Sequence, residues 1–321
     1  MRCDILLLGE YFFDQIFTGM PEFPELGREV YASDLTTTGG AMFITAAALT
    51  RLGARVGWPA CFGDDAYSQF VRDLAAREGI DLTLARSLPH PYRRVTTSIP
   101  LEGERAFVTY ADPQVPDRHD YWLASMERCQ FAHLHLGSLM PGAAMELLAA
   151  AARQKGATVS TDCQDGPHLK DPCACREALR LVDIFMPNAR EAQIIAETTD
   201  MRRALAYLAE LTPLVVIKDG ANGAWVGHGG DILYAPAICA GPAVDTTGAG
   251  DCFNAGFLYG YIVEGEPLER CLRYGNICGG LSVTAVGGAT AAPSRAELAA
   301  WLDRVSAGRT APTIDAIQDD R

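Results

Sequence analysis

Short strand-like runs that each hand over to a helix-like run restrict the fold of this chain more than any other feature. The strand-like runs are 4–8, 55–61, 131–136, 157–161, 182–186 and 213–218. Helical periodicity falls at about 40–52, 65–78, 142–154, 189–196, 202–210, 249–263, 267–285 and 294–305. Such alternation predicts a mostly parallel sheet covered by helices on both faces. Ligands of such sheets bind outside the carboxyl ends of the strands. Asp14 follows the first run, Asn188 follows 182–186, and Lys218 to Gly220 close 213–218. Segments 11–37 and 88–112 break the pattern. They are rich in aromatic and β-branched residues with turn signals, and Arg93 to Ile99 and Arg105 to Tyr110 alternate. They predict a small β sheet outside the main fold.

The chemical signal is densest in Asp245-Thr246-Thr247-Gly248-Ala249-Gly250-Asp251-Cys252-Phe253-Asn254-Ala255-Gly256. A Gly-Ala-Gly loop opening a helix aims backbone N–H groups at one spot, where the helix dipole also favours negative charge. That spot suits a phosphate. Asp251 ends the loop, where a carboxylate can take a proton from an attacking hydroxyl. Read alone, Gly-x-Gly-Asp also fits a capped helix start with small residues for close packing. Together, the parts point to phosphoryl transfer to an alcohol.

The whole run resembles the C-terminal signature of the PfkB (ribokinase-like) family of carbohydrate and nucleoside kinases. Further elements resemble the family in the same order. Ile5-Leu6-Leu7-Leu8-Gly9-Glu10 leads to Asp14, and Gly39-Gly40 opens a small-residue helix ending Arg51-Leu52-Gly53. Gly63-Asp64-Asp65 and Gly79-Ile80-Asp81 follow, then Pro187-Asn188-Ala189-Arg190-Glu191 and Val215 to Ala224. The likeness runs from about residue 5 to about residue 300. It implies one three-layer α/β/α ribokinase-like domain over 1–321. Within it, 11–37 and 88–112 would form a β lid that closes over the acceptor and forms the contact of a homodimer.

The resemblance also assigns roles. Asp251 would be the base, and the N–H groups of Gly248, Ala249 and Gly250 would form the anion hole for developing charge. Asn188 and Glu191 would hold Mg2+ through its waters, since magnesium dehydrates reluctantly. Lys218, Gly220, Gly223 and Asn276 would face ATP. Asp245 and Thr247, with the loop 285–288, would hold a monovalent cation such as K+. Asp14 would bind sugar hydroxyls, Gly39 and Gly40 would allow close backbone approach, and Arg105 and Asp162 are further acceptor candidates. For several of these, ordinary readings stand beside the implied ones: a helix cap for Asn188 or Glu191, a turn for the two glycines.

Three positions depart from the family pattern. Ile44 stands where an Asn usually bonds the sugar, Tyr67 replaces a usual Gly, and Asp162-Cys163-Gln164 replaces Asp-x-Asn. They leave the phosphate chemistry intact and put the acceptor in question. Gly9-Glu10 with Asp14 looks more like fructokinase and ketodeoxygluconate-kinase members, which favours a sugar or sugar acid. A nucleoside kinase is the second reading, helped by Met42-Phe43-Ile44, which would offer an apolar wall to a base. A catalytically idle paralogue that binds sugar or nucleotide is a third, opposed by the retention of Asp251.

Composition narrows the classes further. A formal net charge of −13 over 321 residues argues against nucleic-acid binding, which needs a basic surface. No apolar stretch is long enough for a bilayer and no export signal opens the chain, so a cytoplasmic protein is expected. The ten cysteines are scattered, which suits reduced thiols better than a disulfide framework. Cys173-x-Cys175 lacks a second pair at zinc spacing. His133-Leu134-His135 fits a strand with one polar face better than a metal site. Gly9 is followed by Glu-Tyr-Phe-Phe-Asp, not by a dinucleotide fingerprint, and no Gly-Lys-Ser/Thr occurs. The polar, acidic 315–321 segment is expected to fray.

Overall fold

Ile5 and Leu7 face one side of their strand, Leu6 and Leu8 the other, and all four side chains are buried. The two pairs belong to separate hydrophobic clusters. A strand covered on both faces reads as an unbroken apolar run, which is why these strands stood out in the sequence. The computed structural model describes residues 1–101 and 104–307, and at 100, 101, 104 and 105 the backbone alone. The expected fraying at 315–321 lies outside the described residues.

In chain order the elements are β1 (Ile5–Leu8), β2 (Tyr11–Thr18), β3 (Asp34–Ala41), α1 (Met42–Leu52), β4 (Val56–Gly57), β5 (Cys61–Phe62), α2 (Ala66–Arg77), β6 (Arg86–Ser87), β7 (Arg94–Leu101), β8 (Glu104–Ala111), α3 (Arg118–Arg128), β9 (His133–Leu136), α4 (Ala143–Gln154), β10 (Thr158–Asp162), α5 (Pro172–Leu179), β11 (Ile184–Met186), α6 (Ala189–Ala196), α7 (Met201–Ala209), β12 (Leu214–Lys218), β13 (Ala224–His228), β14 (Asp231–Ala235), α8 (Ala249–Leu258), α9 (Leu268–Ser282) and α10 (Arg295–Ser306). The central sheet has eight strands in the order β14-β13-β12-β11-β10-β9-β1-β4. From β4 to β12 the neighbours are parallel, and β13 and β14 are antiparallel. Helices α1, α8 and α9 cover the Ile5 and Leu7 face; α3 to α7 cover the other. This is the expected three-layer α/β/α arrangement. The strand order reverses around β1, between β4 and β9, which opens a crevice at the carboxyl ends.

A second sheet, in the order β3-β2-β7-β8, is the small β sheet expected outside the main fold. Tyr11 and Phe13 on one face of β2 are buried, and Phe13 meets Tyr67 and Phe70 of α2. Asp14, on the other face, pairs in register with Thr38 of β3 and Thr96 of β7.

Several expectations need correction. Gly39 and Gly40 lie in β3, and the helix begins only at Met42. The run 55–61 is two short strands, because Pro59 has no N–H to extend the ladder. The hairpin β13–β14, turned by Gly229 and Gly230, was not anticipated, nor were α3 and α5. The end of the 249–263 helix widens to a π turn over Tyr259–Glu264. The polar face of β9 does not meet water. His133 and His135 are fully buried and share Ser160 Oγ at 2.6 and 2.7 Å, with Thr158 Oγ1 2.7 Å from His133 Nδ1. Burial pushes both imidazoles far down, to about 3 and about 4, so they stay neutral.

At the junction of β3 and α1, Ala41 has φ 52° and ψ −128°, a conformation that costs an L-residue about 1–3 kcal/mol. Ala41→Gly is therefore expected to raise the melting temperature by roughly 1–3 °C, the strain relieved exceeding the flexibility gained by the unfolded chain. A lower melting temperature in that variant would show that the turn is unstrained.

Candidate active site

Gly248 caps α8 in the left-handed region, φ 71°. A Cβ there would lie 2.6 Å from Ile44 Cδ1 and 2.8 Å from Gly288 Cα, so only glycine fits. The N–H groups of a helix's first turn lack intrahelical partners, and Ala249 and Gly250 of this turn line a cavity. Ala249 N–H also bends back to Thr246 O over a long 3.3 Å. Asp251 occupies that first turn, half-buried, and Thr45 Oγ1 donates to its Oδ1 at 3.2 Å. Burial raises the Asp251 carboxyl to about 7; repulsion from Asp162 adds to it, and Lys218 and Thr45 oppose it.

Lys218 ends β12 and donates to both oxygens of Asp162, at 3.0 and 2.9 Å, and to Asn254 Oδ1 at 3.1 Å. Asn254 Nδ2 closes the triangle on Asp162 Oδ2 at 2.6 Å. A Cβ on Gly250 would sit 3.6 Å from Lys218 Nζ, so the ammonium lies against the proposed anion loop. Asp162 was expected among the acceptor ligands. In the structure its carboxylate pairs with Lys218 and Asn254. Neither Thr45 nor Asn254 was singled out in the sequence. A polar residue inside an otherwise apolar helix face was the available signal for both.

Asn188 and Glu191 form a reciprocal cap of α6: Glu191 N–H donates to Asn188 Oδ1 at 2.9 Å, and Asn188 N–H to Glu191 Oε2 at 2.8 Å. Glu191 is 4% exposed. Burial, then Asp162, lifts its carboxyl to about 7, so a cation beside it would restore the charged form. Asn188 bridges to Lys218 through the backbone, which brings this cap beside the lysine. Among the described residues no group of three His, Cys, Asp or Glu could hold a metal by itself. A divalent ion there would need phosphate or water ligands, as Mg2+ prefers.

Next to the α8 N-terminus is a cavity of about 590 Å³, lined in part by Lys218, Gly220, Gly223, Gly250, Phe253 and Asn276. Asn276 shapes its wall by donating to Ala235 O and Pro236 O at 3.0 and 2.9 Å. Asp245 ties two loops together: it accepts from Thr247 N–H and from Gly287 N–H, both at 2.9 Å. This places Asp245, Thr247 and Gly287 side by side.

On the acceptor side, Asp14 is 7% exposed. Burial, then Asp245, raises its carboxyl to about 7. A Cβ on Gly40 would fall 2.1 Å from Asp14 Oδ2, so the glycine lets the carboxylate lie against the backbone. Gly39 receives the Phe43 ring in the same way. Met42, Phe43 and Ile44 are all buried, packed on Gly9 and Gly137, on Gly39, and on Gly248 and Gly288. They offer no open apolar wall, which removes the feature that favoured a nucleoside. Arg105 pairs in register with Pro100, and its side chain lies outside the described residues.

The profile described as pfkB family carbohydrate kinase matches residues 29–295. Ribokinase of Haemophilus influenzae is 26% identical over 317 residues, covering 94% of this chain and 99% of that protein. Fructokinase of Escherichia coli is 31% identical over 287 residues, 82% and 91% of the two chains. Among solved structures, Arabidopsis thaliana ribokinase complexed with ribose and ATP superposes with a TM-score of 0.77 at 23% identity, over 94% and 99% of the chains. A presumed ribokinase II of E. coli with ATP and Mg2+ gives 0.78 at 22% identity, over 94% and 99%. Those two likenesses establish the fold.

The raised Asp251 carboxyl has a consequence for stability. The folded state keeps its proton up to about pH 7, whereas an unfolded aspartate loses it near its ordinary 3.8. Ionisation therefore costs folding free energy progressively as pH rises from about 4 to about 7. The buried histidines act in the opposite sense, so the test compares two proteins at each pH. Without ligand, Asp251→Asn is expected to melt above the wild type, by a small margin at pH 5 that widens to several degrees at pH 8. A difference independent of pH would contradict the shift.

Proposed function

The chain belongs to the pfkB family of carbohydrate kinases, and on that premise we propose that it transfers the γ-phosphoryl group of ATP to a hydroxyl of a sugar or sugar acid. The observation that carries this reading is the carboxylate of Asp251 in the first turn of α8, beside the free N–H groups of that turn and at the edge of the 590 Å³ cavity. A base must reach the hydroxyl whose proton it takes, and Asp251 lies electrostatically within range of Asp14.

In this reading Asp14 holds acceptor hydroxyls on the lid face, and Gly39 and Gly40 let the acceptor approach the backbone. Asp251 accepts the proton of the attacking hydroxyl. The N–H groups of Gly248, Ala249 and Gly250 take up charge on the transferring phosphoryl oxygens, and Lys218 steadies the phosphates. Gly220, Gly223 and Asn276 shape the nucleotide cavity. Mg2+, held between the phosphates and Glu191 with Asn188, would supply charge neutralisation when bound. Asp245, Thr247 and the carbonyls of 285–288 are proposed to hold K+ behind the anion loop. Thr45 orients the Asp251 carboxylate.

Release of ADP from ATP-Mg2+, measured over a panel of sugars, sugar acids and nucleosides, tests the proposal. Asp251→Asn is expected to lower kcat for the accepted substrate about 10²–10⁴-fold, with ATP still bound. For the wild type, kcat/KM is expected to rise with pH and level off above an apparent pKa near 7, the value to which Asp251 is raised. Equal rates in both proteins would remove Asp251 from the role of base. A nucleoside accepted in preference to every sugar would replace the sugar reading.

The lid is also the proposed homodimer contact. Leu35, Val108 and Tyr110 expose 48%, 67% and 52% of their surface, and by strand alternation they share the face opposite Asp14. Sedimentation is expected to give two copies for the wild type and one for the Val108→Asp, Tyr110→Asp double variant. A monomeric wild type would refute the contact.

A further inference from the structure

Strand register places more than Asp14 on the inner face of the lid. Asp14 pairs with Thr96, and Arg94 lies two residues before Thr96 on the same strand. Arg94 is therefore the diagonal neighbour of Asp14 on the same face, about 7–8 Å away between Cα atoms. Arg94 is 2% exposed. Its guanidinium stacks 4.5 Å from the Tyr92 ring centroid and 5.7 Å from that of Phe12, and Nη2 donates to Tyr92 Oη at 2.6 Å. Its Nε is buried with no hydrogen-bond partner among the described residues, 3.5 Å from Glu10 Oε2.

A second arginine reaches the same carboxylate. Arg118, in the first turn of α3, stands 3.5 Å from Glu10 Oε1 through Nη1 and lies over the Trp122 ring. Its Nε is likewise buried with no hydrogen-bond partner among the described residues. Arg118 Nη2 meets His119 Nε2 at 3.0 Å, and burial with the Arg118 charge lowers the His119 pKa, which keeps that ring a neutral acceptor. Asp65, the other carboxylate near Tyr92, is engaged by the N–H groups of Tyr67, Ser68 and Tyr92. Two guanidinium groups thus share one carboxylate, Glu10, at the carboxyl end of β1. Two buried guanidinium groups against one carboxylate leave an excess positive charge, which is costly, and two unused N–H donors add to the cost. An anion bound between the arginines would remove both deficits, with charge-assisted bonds to a fork suited to carboxylate or phosphate.

We propose that the acceptor carries an anionic group, a carboxylate or a phosphate, which Arg94 and Arg118 bind while Asp14 holds its hydroxyls. This rests on the kinase reading and deepens it: Asp251 acts on a hydroxyl of an acidic sugar derivative. Glu10 spaces the two guanidinium groups, and Phe12 and Tyr92 keep water from Arg94.

Initial rates with ATP-Mg2+ on fructose, a 2-keto-3-deoxyhexonic acid and a hexose phosphate test it. One of the two anionic acceptors is expected to exceed fructose at least 100-fold in kcat/KM, and which one does so identifies the group. Arg94→Met and Arg118→Gln are each expected to raise KM for that acceptor about 30–100-fold, the loss of one charge-assisted contact. Arg94→Lys should recover part of it. Fructose as the best acceptor, or a KM for the anionic acceptor unmoved in both variants, would overturn the proposal. Arg118 is the more exposed of the two, so Arg118→Gln carries the test if Arg94→Met does not fold. Failure of every acceptor to turn over would count against the kinase reading instead. Calorimetric titration of the same acid and phosphate then reads the anion site alone. Binding that is lost in Arg118→Gln supports it, and no binding of either anion to the wild type overturns it.

Discussion

The close seating of the α8 N-terminus governs the rest of the site. Gly248 is wedged between Ile44 and Gly288 with no room for a side chain, which fixes the direction of the first free N–H groups and of Asp251. The 285–292 segment behind it is held from two sides. Asp245 accepts Gly287 N–H on one side. On the other, Arg51 donates through Nη1 to Ala289 O, Thr290 O and Ala292 O while its remaining nitrogens grip Glu78. Helix α9 lies equally close: a Cβ on Gly256 would fall 2.6 Å from Tyr274 O. A larger residue at Gly248 would therefore displace the anion loop as a whole, because none of its neighbours can yield separately.

The same crowding produces an electrostatic imbalance. Asp14, Glu191 and Asp251 are each raised to about 7, in every case by burial first and a second carboxylate next. Lys218, the ammonium against the anion loop, is already paired with Asp162. On the proposed reading, protein charge alone would hold a triphosphate poorly here, and a nucleotide arriving with its own divalent cation satisfies the phosphates and Glu191 together. Stability given up by the ligand-free protein is the usual counterpart of such a poised site.

Legibility in the sequence followed burial. Strands covered on both faces, such as Leu214–Lys218, appear as apolar runs, and helices with a distinct buried stripe, such as Ala189–Ala196, were placed to the residue. The β13–β14 hairpin hid for a different reason: its edge position leaves Asp231, Ile232 and Tyr234 exposed and breaks the apolar run, although Gly229-Gly230 is a recognisable turn. α3 opens with Arg-His-Asp and buries only Trp122, Ser125 and Met126, too thin a stripe to stand out. At the site, the loop from Gly248 to Asp251 at the start of α8 was readable because its pattern is local in sequence. Lys218–Asp162–Asn254 joins three distant elements, and no spacing rule reveals such a contact. The polar face of β9 was visible as polar, but its burial against Thr158 and Ser160 depends on the neighbouring strand.

Ile44 shows how a departure in sequence acquires its meaning only in the fold. As an apolar residue where a hydrogen-bonding one was expected, it raised the prospect of an apolar acceptor wall. Its side chain instead packs beneath Gly248 and Gly288, so it supports the start of α8. Discrimination then has to come from the surface that remains, the inner face of the lid. That face is polar at Asp14, Thr38 and Thr96, and it ends in the arginine pair around Glu10. On the proposed reading, phosphate handling and acceptor choice fall to different parts of the fold. The first would stay with α8 and the carboxyl ends of the central strands, the second with side chains of β2, β3, β7 and α3.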